Sequence, residues 1–366
     1  MDGLFYKGSG IGRYYESLLK GLAKEGLKIY TCVPLQFKGD FELDFEQYFE
    51  NIIPIYVNYK GFSLKAFFEQ GQILKKIEKE VSLFHFPHIN IPLYAPKNLI
   101  VTIHDLRPFT KYWDRSYVKK RVYEWYFKKA IKTAKKVISV SETTKREIMS
   151  QYLVDDSKIS VIYEFVDEKF FRSNILEKKN DKNIIGDYIL FVGSRKKHKN
   201  LSQLIIAFNS IRNRFPNLKL VIAGKKYTER DEVDLLREKL DLKNEMIEII
   251  SPNDKEIINL YKYTKAFIFP SLYEGFGLPP LEAMAIGTPV LVSNIPVLKE
   301  ICGNAAYFVD PYSSESIAQG IYKVLYDDSL RESLIKRGEK RINDFNPDKI
   351  INQYIKLYEE TLNAKN

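Results

Sequence analysis

The sequence predicts a two-domain α/β protein in which each domain is a parallel sheet covered by helices. Three observations carry that expectation. Short apolar runs alternate with helical stretches along most of the 366 residues, the order that gives parallel strands joined by crossover helices. The length exceeds what a single hydrophobic core usually serves. Glycines and polar residues also stand repeatedly just past an apolar run, where the ligands of such sheets bind. His104, Gly193, Arg195, Gly224, Ser271 and Glu274 are all placed in this way.

The chain opens on Gly8-Ser9-Gly10-Ile11-Gly12, followed by Leu18, Leu19, Leu22 and Ala23 at helical spacing. A glycine loop feeding a helix N-terminus outlines a phosphate cradle. Only seven residues precede Gly8, so the strand leading into the loop is expected to be short or missing. The next strand, 27–33, ends in Pro34-Leu35, without the acidic residue that a dinucleotide site wants. A dehydrogenase is disfavoured on that ground. Strands are expected at 52–57, 81–86, 98–103, 136–140 and 159–163. The last helix of this half begins near Ser141, and Thr144 and Glu147 have capping-box spacing. Residues 164–187 are polar and aperiodic and read as the linker. The first domain is set at 1–167 and the second at 183–347.

In the second half, the run 188–192 delivers Gly193-Ser194-Arg195-Lys196-Lys197-His198-Lys199-Asn200 at its carboxyl end. A diphosphate leaving group needs positive charge, supplied by a metal on Asp-x-Asp or by fixed cations and helix dipoles. The chain has no Asp-x-Asp, so Arg195 and Lys199 are the candidates, as a planar fork and a point charge. A plain solvated basic turn is the alternative. Strand 218–223 ends at Gly224-Lys225, and this end with that of 247–250 could frame a nucleotide base. The central segment is the strand 265–270, the loop Ser271 to Gly277, a short helix stopped at Gly287-Thr288-Pro289, and a strand from Val290. Two glycines flank Phe276, allowing a ligand close to the backbone. Glu274 on the loop and Glu282 inside the helix can address two parts of one polyol.

Glu274, seven residues, then Glu282, with Gly275-Phe276-Gly277-Leu278 between them, resembles the signature of the retaining glycosyltransferases of the GT-B fold, family four (group 1, mannosyltransferase-like). That resemblance implies two Rossmann-like domains facing each other across a cleft, with the final helix, 348–366, returning to the first. It implies Glu274 on the hydroxyls of a donor sugar, Glu282 on the ribose, and Arg195 and Lys199 on the diphosphate. His104 would lie near the sugar and Gly10 beside the phosphate or sugar. Catalytic roles thus fall on His104, Glu274, Arg195 and Lys199. Donor binding falls on Gly10, Gly193, Lys225, Gly275, Phe276, Gly277, Leu278 and Glu282. The expected reaction is hexosyl transfer, specifically mannosyl from GDP-mannose, to a glycan or lipid-linked acceptor in surface polysaccharide synthesis. Retention of configuration and independence of metal or other cofactors go with it. Two other readings stay open: a non-catalytic sugar-nucleotide or lipid-binding partner subunit, and a GT-B sugar-nucleotide epimerase.

Charge and composition bound the partners. The net charge is +10 and the pI near 9.1, which favours an anionic partner. No nucleic-acid-binding signature is present, so nucleic acid is not expected. Residues 111–136 carry ten Lys or Arg against Asp114 and Glu124, and Val118, Val122, Trp125 or Tyr126, and Ala130 recur at helical spacing. Such a helix either lies on an anionic membrane or turns its apolar stripe into the core. Two cysteines, Cys32 and Cys302, and four scattered histidines suggest neither a disulfide framework nor a metal centre. No apolar run approaches the ~18 residues of a membrane span, and Met1-Asp2-Gly3 does not open a signal peptide. A cytoplasmic protein, peripheral on the inner face of the membrane, is the expectation.

Overall fold

A computed structural model describes residues 1–8, 10–113, 116–172 and 185–364. Half of the expected linker, 173–184, lies outside them, as do Asp114 and Arg115 of the basic segment. The chain forms two compact units, Met1–Glu164 with Pro347–Asn366, and Phe165–Asn346. Phe165 and Val166, expected in the first domain, belong to the second, where the Val166 amide donates to the Phe345 carbonyl (3.4 Å).

In the first unit, β1 (Ile29–Pro34) pairs in parallel with β2 (Ile52–Val57), Ile29 opposite Ile52. A separate parallel sheet holds β3 (Phe84–Phe86), β4 (Leu99–Ile103), β5 (Lys136–Ser139) and β6 (Ile159–Val161) in that order. Residues of β4 are buried throughout, as expected of a parallel strand covered on both faces. Between β1 and β3 stand only the first residues of the chain. Asp2 bridges Cys32, and its amide donates to the His85 carbonyl (3.0 Å). The strand before the glycine loop is therefore one bridge long, and a cavity of about 370 Å³ lies beside it, lined by Ile29, Tyr30, Leu74, Phe84 and His85.

Helix Gly10–Lys24 turns Tyr14, Tyr15, Leu18, Leu19 and Leu22 inward. The C-terminal helix, Pro347–Asn363, packs on it within this unit. A Cβ added at Gly21 would lie 2.4 Å from Ile351 Cδ1, so the two helices meet at backbone distance. The Tyr14 and Tyr354 hydroxyls are 2.7 Å apart. Helix Glu142–Gln151 is capped by Ser141, whose Oγ accepts from the Thr144 amide (3.0 Å). Thr144 is thus inside the helix rather than its cap, because the extended backbone at Ser141 starts the turn three residues earlier.

The second unit is one six-stranded parallel sheet. Its strands are β7 (Tyr188–Val192), β8 (Lys219–Gly224), β9 (Met246–Ile250), β10 (Ala266–Phe269), β11 (Val290–Ser293) and β12 (Tyr307–Val309). They run in the order β12-β11-β10-β7-β8-β9. The chain starts at the centre, builds outward through β9, and returns to the other side of β7 as β10. Strand order therefore reverses between β7 and β10, and a crevice opens beyond their carboxyl ends.

At that edge the backbones of two loops nearly touch. Gly224 has φ +145°, and a Cβ there would sit 2.0 Å from the Gly193 carbonyl oxygen. We expect Gly224→Ala to cost about 3 kcal/mol or more, through strain and a clash that neither backbone can relieve. Gly39, inside a helix with nothing within 4 Å of its Cβ position, should be neutral or gain up to about 1 kcal/mol on the same change. Urea denaturation of the two variants checks both.

Candidate active site

The loops after β7, β8 and β10 build the site of the second unit. After β7 the chain makes one turn at Lys197–Lys199 and closes it on Asn200, which is left-handed (φ 62°), a conformation asparagine tolerates better than most residues. Its Nδ2 donates to the carbonyls of Pro270 (3.0 Å) and Pro311 (2.7 Å). The Leu272 amide donates to the His198 carbonyl (2.7 Å). These bonds fasten the β7 loop to the ends of β10 and β12 and carry Lys199 across the switch point. Its Nζ lies 2.6 Å from Glu274 Oε1, with 16% and 13% of the two side chains exposed. Lys199 also stands over the Phe269 ring at 5.1 Å.

Past Glu274, Gly277 has φ +128°, and a Cβ there would come within 2.9 Å of Leu298 Cδ2. Helix Leu278–Ile286 follows directly. A helix start leaves four N–H groups open, but Pro279 and Pro280 carry none. Only the Gly277 and Leu278 amides remain of the four. Phe276, expected on the donor, is buried against Phe345 (5.9 Å between rings). A phenyl ring gains more from that packing than from a polar ligand, so only its backbone serves the loop. Glu282 is buried and accepts from the Tyr261 hydroxyl (3.1 Å). Tyr261 was not read from the sequence; the available signal is a tyrosine on the apolar face of helix Asp254–Tyr263.

Arg195 departs from expectation. Its side chain is 3% exposed and its guanidinium faces Asp231 (3.2 Å), Asp234 (3.0 Å) and Glu248 (2.6 Å). Burial alone would lower its pKa, but the three carboxylates raise it instead. Surrounded in this way, Arg195 is a structural cation rather than a free phosphate ligand. Its amide also donates to the Lys225 carbonyl (3.2 Å), so it pins the β8 loop. Lys225 itself is exposed at the end of β8, next to Gly224. Among the described residues, no group of three or more His, Cys, Asp or Glu could hold a metal ion.

In the first unit Gly10 is exposed at its helix start, and nothing lies within 4 Å of its Cβ position. Gly12 is the glycine this turn demands, since its Cβ would meet the Phe5 carbonyl oxygen at 2.6 Å. His104 follows β4. Its Nδ1 is 2.8 Å from Glu164 Oε1 and its Nε2 is 2.9 Å from the Pro87 carbonyl oxygen. The Pro87 carbonyl only accepts, so Nε2 donates to it, and the carboxylate beside Nδ1 favours a second proton there. Burial alone would lower its pKa; the bond to Glu164, that residue's charge and the Pro87 carbonyl raise it. His85 and His88, buried without a carboxylate, are pushed down to about 3. Glu164 was not identified from the sequence, because it sits in the stretch read as linker.

Two family profiles tile this chain. "Glycosyltransferase Family 4" matches residues 8–170 and "Glycosyl transferases group 1" matches residues 172–341. The chain belongs to the group 1 (family 4) glycosyltransferases. An O-antigen chain mannosyltransferase of Salmonella typhimurium is 36% identical over 241 residues, 65% of this chain and 63% of that protein. One of Escherichia coli is 28% identical over 287 residues, 75% of this chain and 74% of that protein. The match to the Salmonella relative thus spans less than two thirds of its length. An Anabaena protein crystallised with UDP and glucose superposes with TM-score 0.76 at 18% identity, over 96% of both chains. A Rickettsia africae glycosyltransferase gives 0.74 at 20%, over 98% and 96%. These likenesses agree with the expected fold, two Rossmann-like parallel-sheet domains.

Two outcomes are expected of this family member. Arg195→Ala leaves three carboxylates facing one another and should lower stability by about 3 kcal/mol, read as a fall in thermal midpoint. Lys199→Ala, at the more open pair, should move that midpoint far less. The second outcome concerns pH. A histidine in the unfolded chain titrates near ~6.5, and the folded value of His104 is higher. Its contribution is therefore complete below about pH 6.5 and lost as pH rises through the folded pKa. The urea midpoint should show that loss in the wild type and not in His104→Gln.

Proposed function

We propose that this protein transfers a hexosyl group from a nucleoside-diphosphate sugar to a glycan or lipid-linked acceptor in surface polysaccharide synthesis. The proposed sugar is mannose and the proposed donor GDP-mannose; the names of the Salmonella and Escherichia coli relatives support the mannose. The observation that carries the reading is the Lys199–Glu274 pair, held across the switch point of the second unit's sheet. Cation and carboxylate stand side by side where a sugar diphosphate presents phosphate oxygens next to hydroxyls.

In this mechanism the bond between the sugar's anomeric carbon and the phosphate oxygen breaks. Charge develops on the leaving diphosphate, and Lys199 with the Leu278 amide neutralises it. Glu274 accepts from donor-sugar hydroxyls, and Glu282, braced by Tyr261, from the ribose. The acceptor hydroxyl attacks the same face, giving retention, and its proton goes to the departing phosphate oxygen. Positioning is then the protein's chief contribution, and no metal is required. With Nδ1 held by Glu164 and Nε2 by the Pro87 carbonyl, neither ring nitrogen of His104 is open to serve as the base. The site of action proposed is the cytoplasmic face of the membrane, where residues 111–136 meet anionic lipid.

Thermal shift with EDTA present, across a panel of nucleoside diphosphates and their sugars, tests this. One base should stabilise the protein clearly, and Glu282→Ala should abolish the shift. Lys199→Ala should lower kcat by roughly 100-fold or more, as removal of a donor to a developing anion does. Absence of any shift would favour the non-catalytic subunit. Nucleotide sugar epimerised without acceptor would favour the epimerase.

A further inference from the structure

Between its two ends, the loop that carries Glu274 is held to the core by one ring. Of the side chains from Leu272 to Leu278 only that of Phe276 is buried, and a glycine stands on either side of it. Glu274 lies two residues before Phe276 and Leu278 two residues after, so each is within about 7 Å of chain from that anchor. The ring meets Phe345 edge to face, with centroids 5.9 Å apart and planes at 76°, an arrangement that sets the positive edge of one ring against the negative face of the other. Phe345 is itself wholly buried, in the single turn Asn343–Phe345.

Arg341 fixes the wall against which the loop rests. Its guanidinium carbon stands 4.9 Å from the centre of the Phe345 ring. Its Nε and Nη2 donate to the carbonyls of Ile301 (2.8 Å) and Glu300 (2.6 Å), in the last turn of helix Pro296–Cys302, and its Nη1 donates to Asp344 (2.8 Å). The same helix supplies Leu298, the side chain that a Cβ at Gly277 would strike. One arginine thus ties together the two side chains that face the loop, Phe345 at Phe276 and Leu298 at Gly277.

We infer that Phe345, locked by Arg341, is a positioning residue for the donor loop. Buried as it is, Phe345 is out of a ligand's reach. It acts through Phe276, which sets where the Glu274 carboxylate and the Gly277 and Leu278 amides stand. A loop rich in glycine has many backbone conformations open to it, and one buried ring removes most of them. The kinetic side of the inference rests on the proposed reaction; its structural side rests on packing alone. A ring pair that only added to the core would predict lost stability and nothing particular to the loop.

Phe345→Leu keeps an apolar side chain and removes the ring. In the full chain without nucleotide, amide hydrogen exchange across 272–281 should then be faster than in the wild type. Phe208→Leu, on the buried face of helix Leu201–Ile211, should lower stability without that local change. GDP should still raise the thermal midpoint of Phe345→Leu, since Glu282 and Tyr261 are untouched. Its kcat with GDP-mannose, read as GDP released, should fall roughly 10- to 100-fold. Phe276→Leu should match it, and the double variant should lose little more than either single one. If Phe345→Leu does not fold, Arg341→Lys, which keeps the charge but not the fork, takes the same tests with smaller effects in the same direction. Exchange across 272–281 no faster than in Phe208→Leu would overturn the inference. So would an unaltered kcat, or losses from Phe276→Leu and Phe345→Leu that simply add. A wild type that neither gains stability from GDP nor consumes GDP-mannose would overturn the proposed donor instead, and the exchange result would still decide the role of Phe345.

Discussion

The site of the second unit depends on Asn200. Its amide is held by the carbonyls of Pro270 and Pro311, at the ends of β10 and β12. That grip brings a loop from β7 to a loop from β10, two strands far apart in sequence and adjacent in the sheet. Only then can Lys199 and Glu274 stand 2.6 Å apart. Without this clamp the lysine is a flexible surface cation, and such pairs are worth little. With it the lysine side chain is 16% exposed and aimed, which makes its charge effective. Close approach of Gly193 and Gly224 in the same unit serves a similar end, since loops without side chains can pack backbone to backbone and hold the rim still.

Much of this was legible in the sequence. Strands β2 and β7 run as the apolar runs do, and most other strands agree within a few residues; β7, buried along its whole length, must be continuously apolar. Gly193, Lys199, Glu274 and Gly277 were legible because the ends of such strands are where loops converge. What failed was orientation. Arg195 and Lys199 looked equivalent as cations near one strand end. Lys199 meets one carboxylate, whereas Arg195 meets three, Asp231, Asp234 and Glu248, brought in from two other elements. No local pattern reports that. Phe276 failed for the same reason: a ring between two glycines can turn either way, and Phe345, distant in sequence, decides it.

The first unit shows a different limit. Its polar interior is a chain of contacts from the C-terminal helix to the strands. Tyr14 reaches Tyr354 (2.7 Å) and Thr102 (3.0 Å), Thr102 reaches His85 (2.8 Å), and His85 reaches Tyr358 (2.7 Å). All five are buried. An interior of this kind is costly when incomplete, so losing any one hydroxyl leaves a partner unsatisfied. Tyr354 and Tyr358 lie on the buried face of the C-terminal helix. Their hydroxyls, which tie the helix to β3 and β4, could not be read from spacing.

Charge in this chain is therefore sorted by depth. Arg195 lies deepest, its side chain 3% exposed and facing three carboxylates. Lys199 and His104 are intermediate, 16% and 13% exposed, and each is paired with one carboxylate. The lysines and arginines of Tyr117–Thr133 are outermost, with Lys119, Arg121, Lys128 and Lys132 exposed. A net charge of +10 does not by itself distinguish these three uses. Burial does, because desolvation sets how tightly a cation must be matched before it is stable. By that rule the deepest cation holds loops, and the outer set is the one left free to choose a partner by charge.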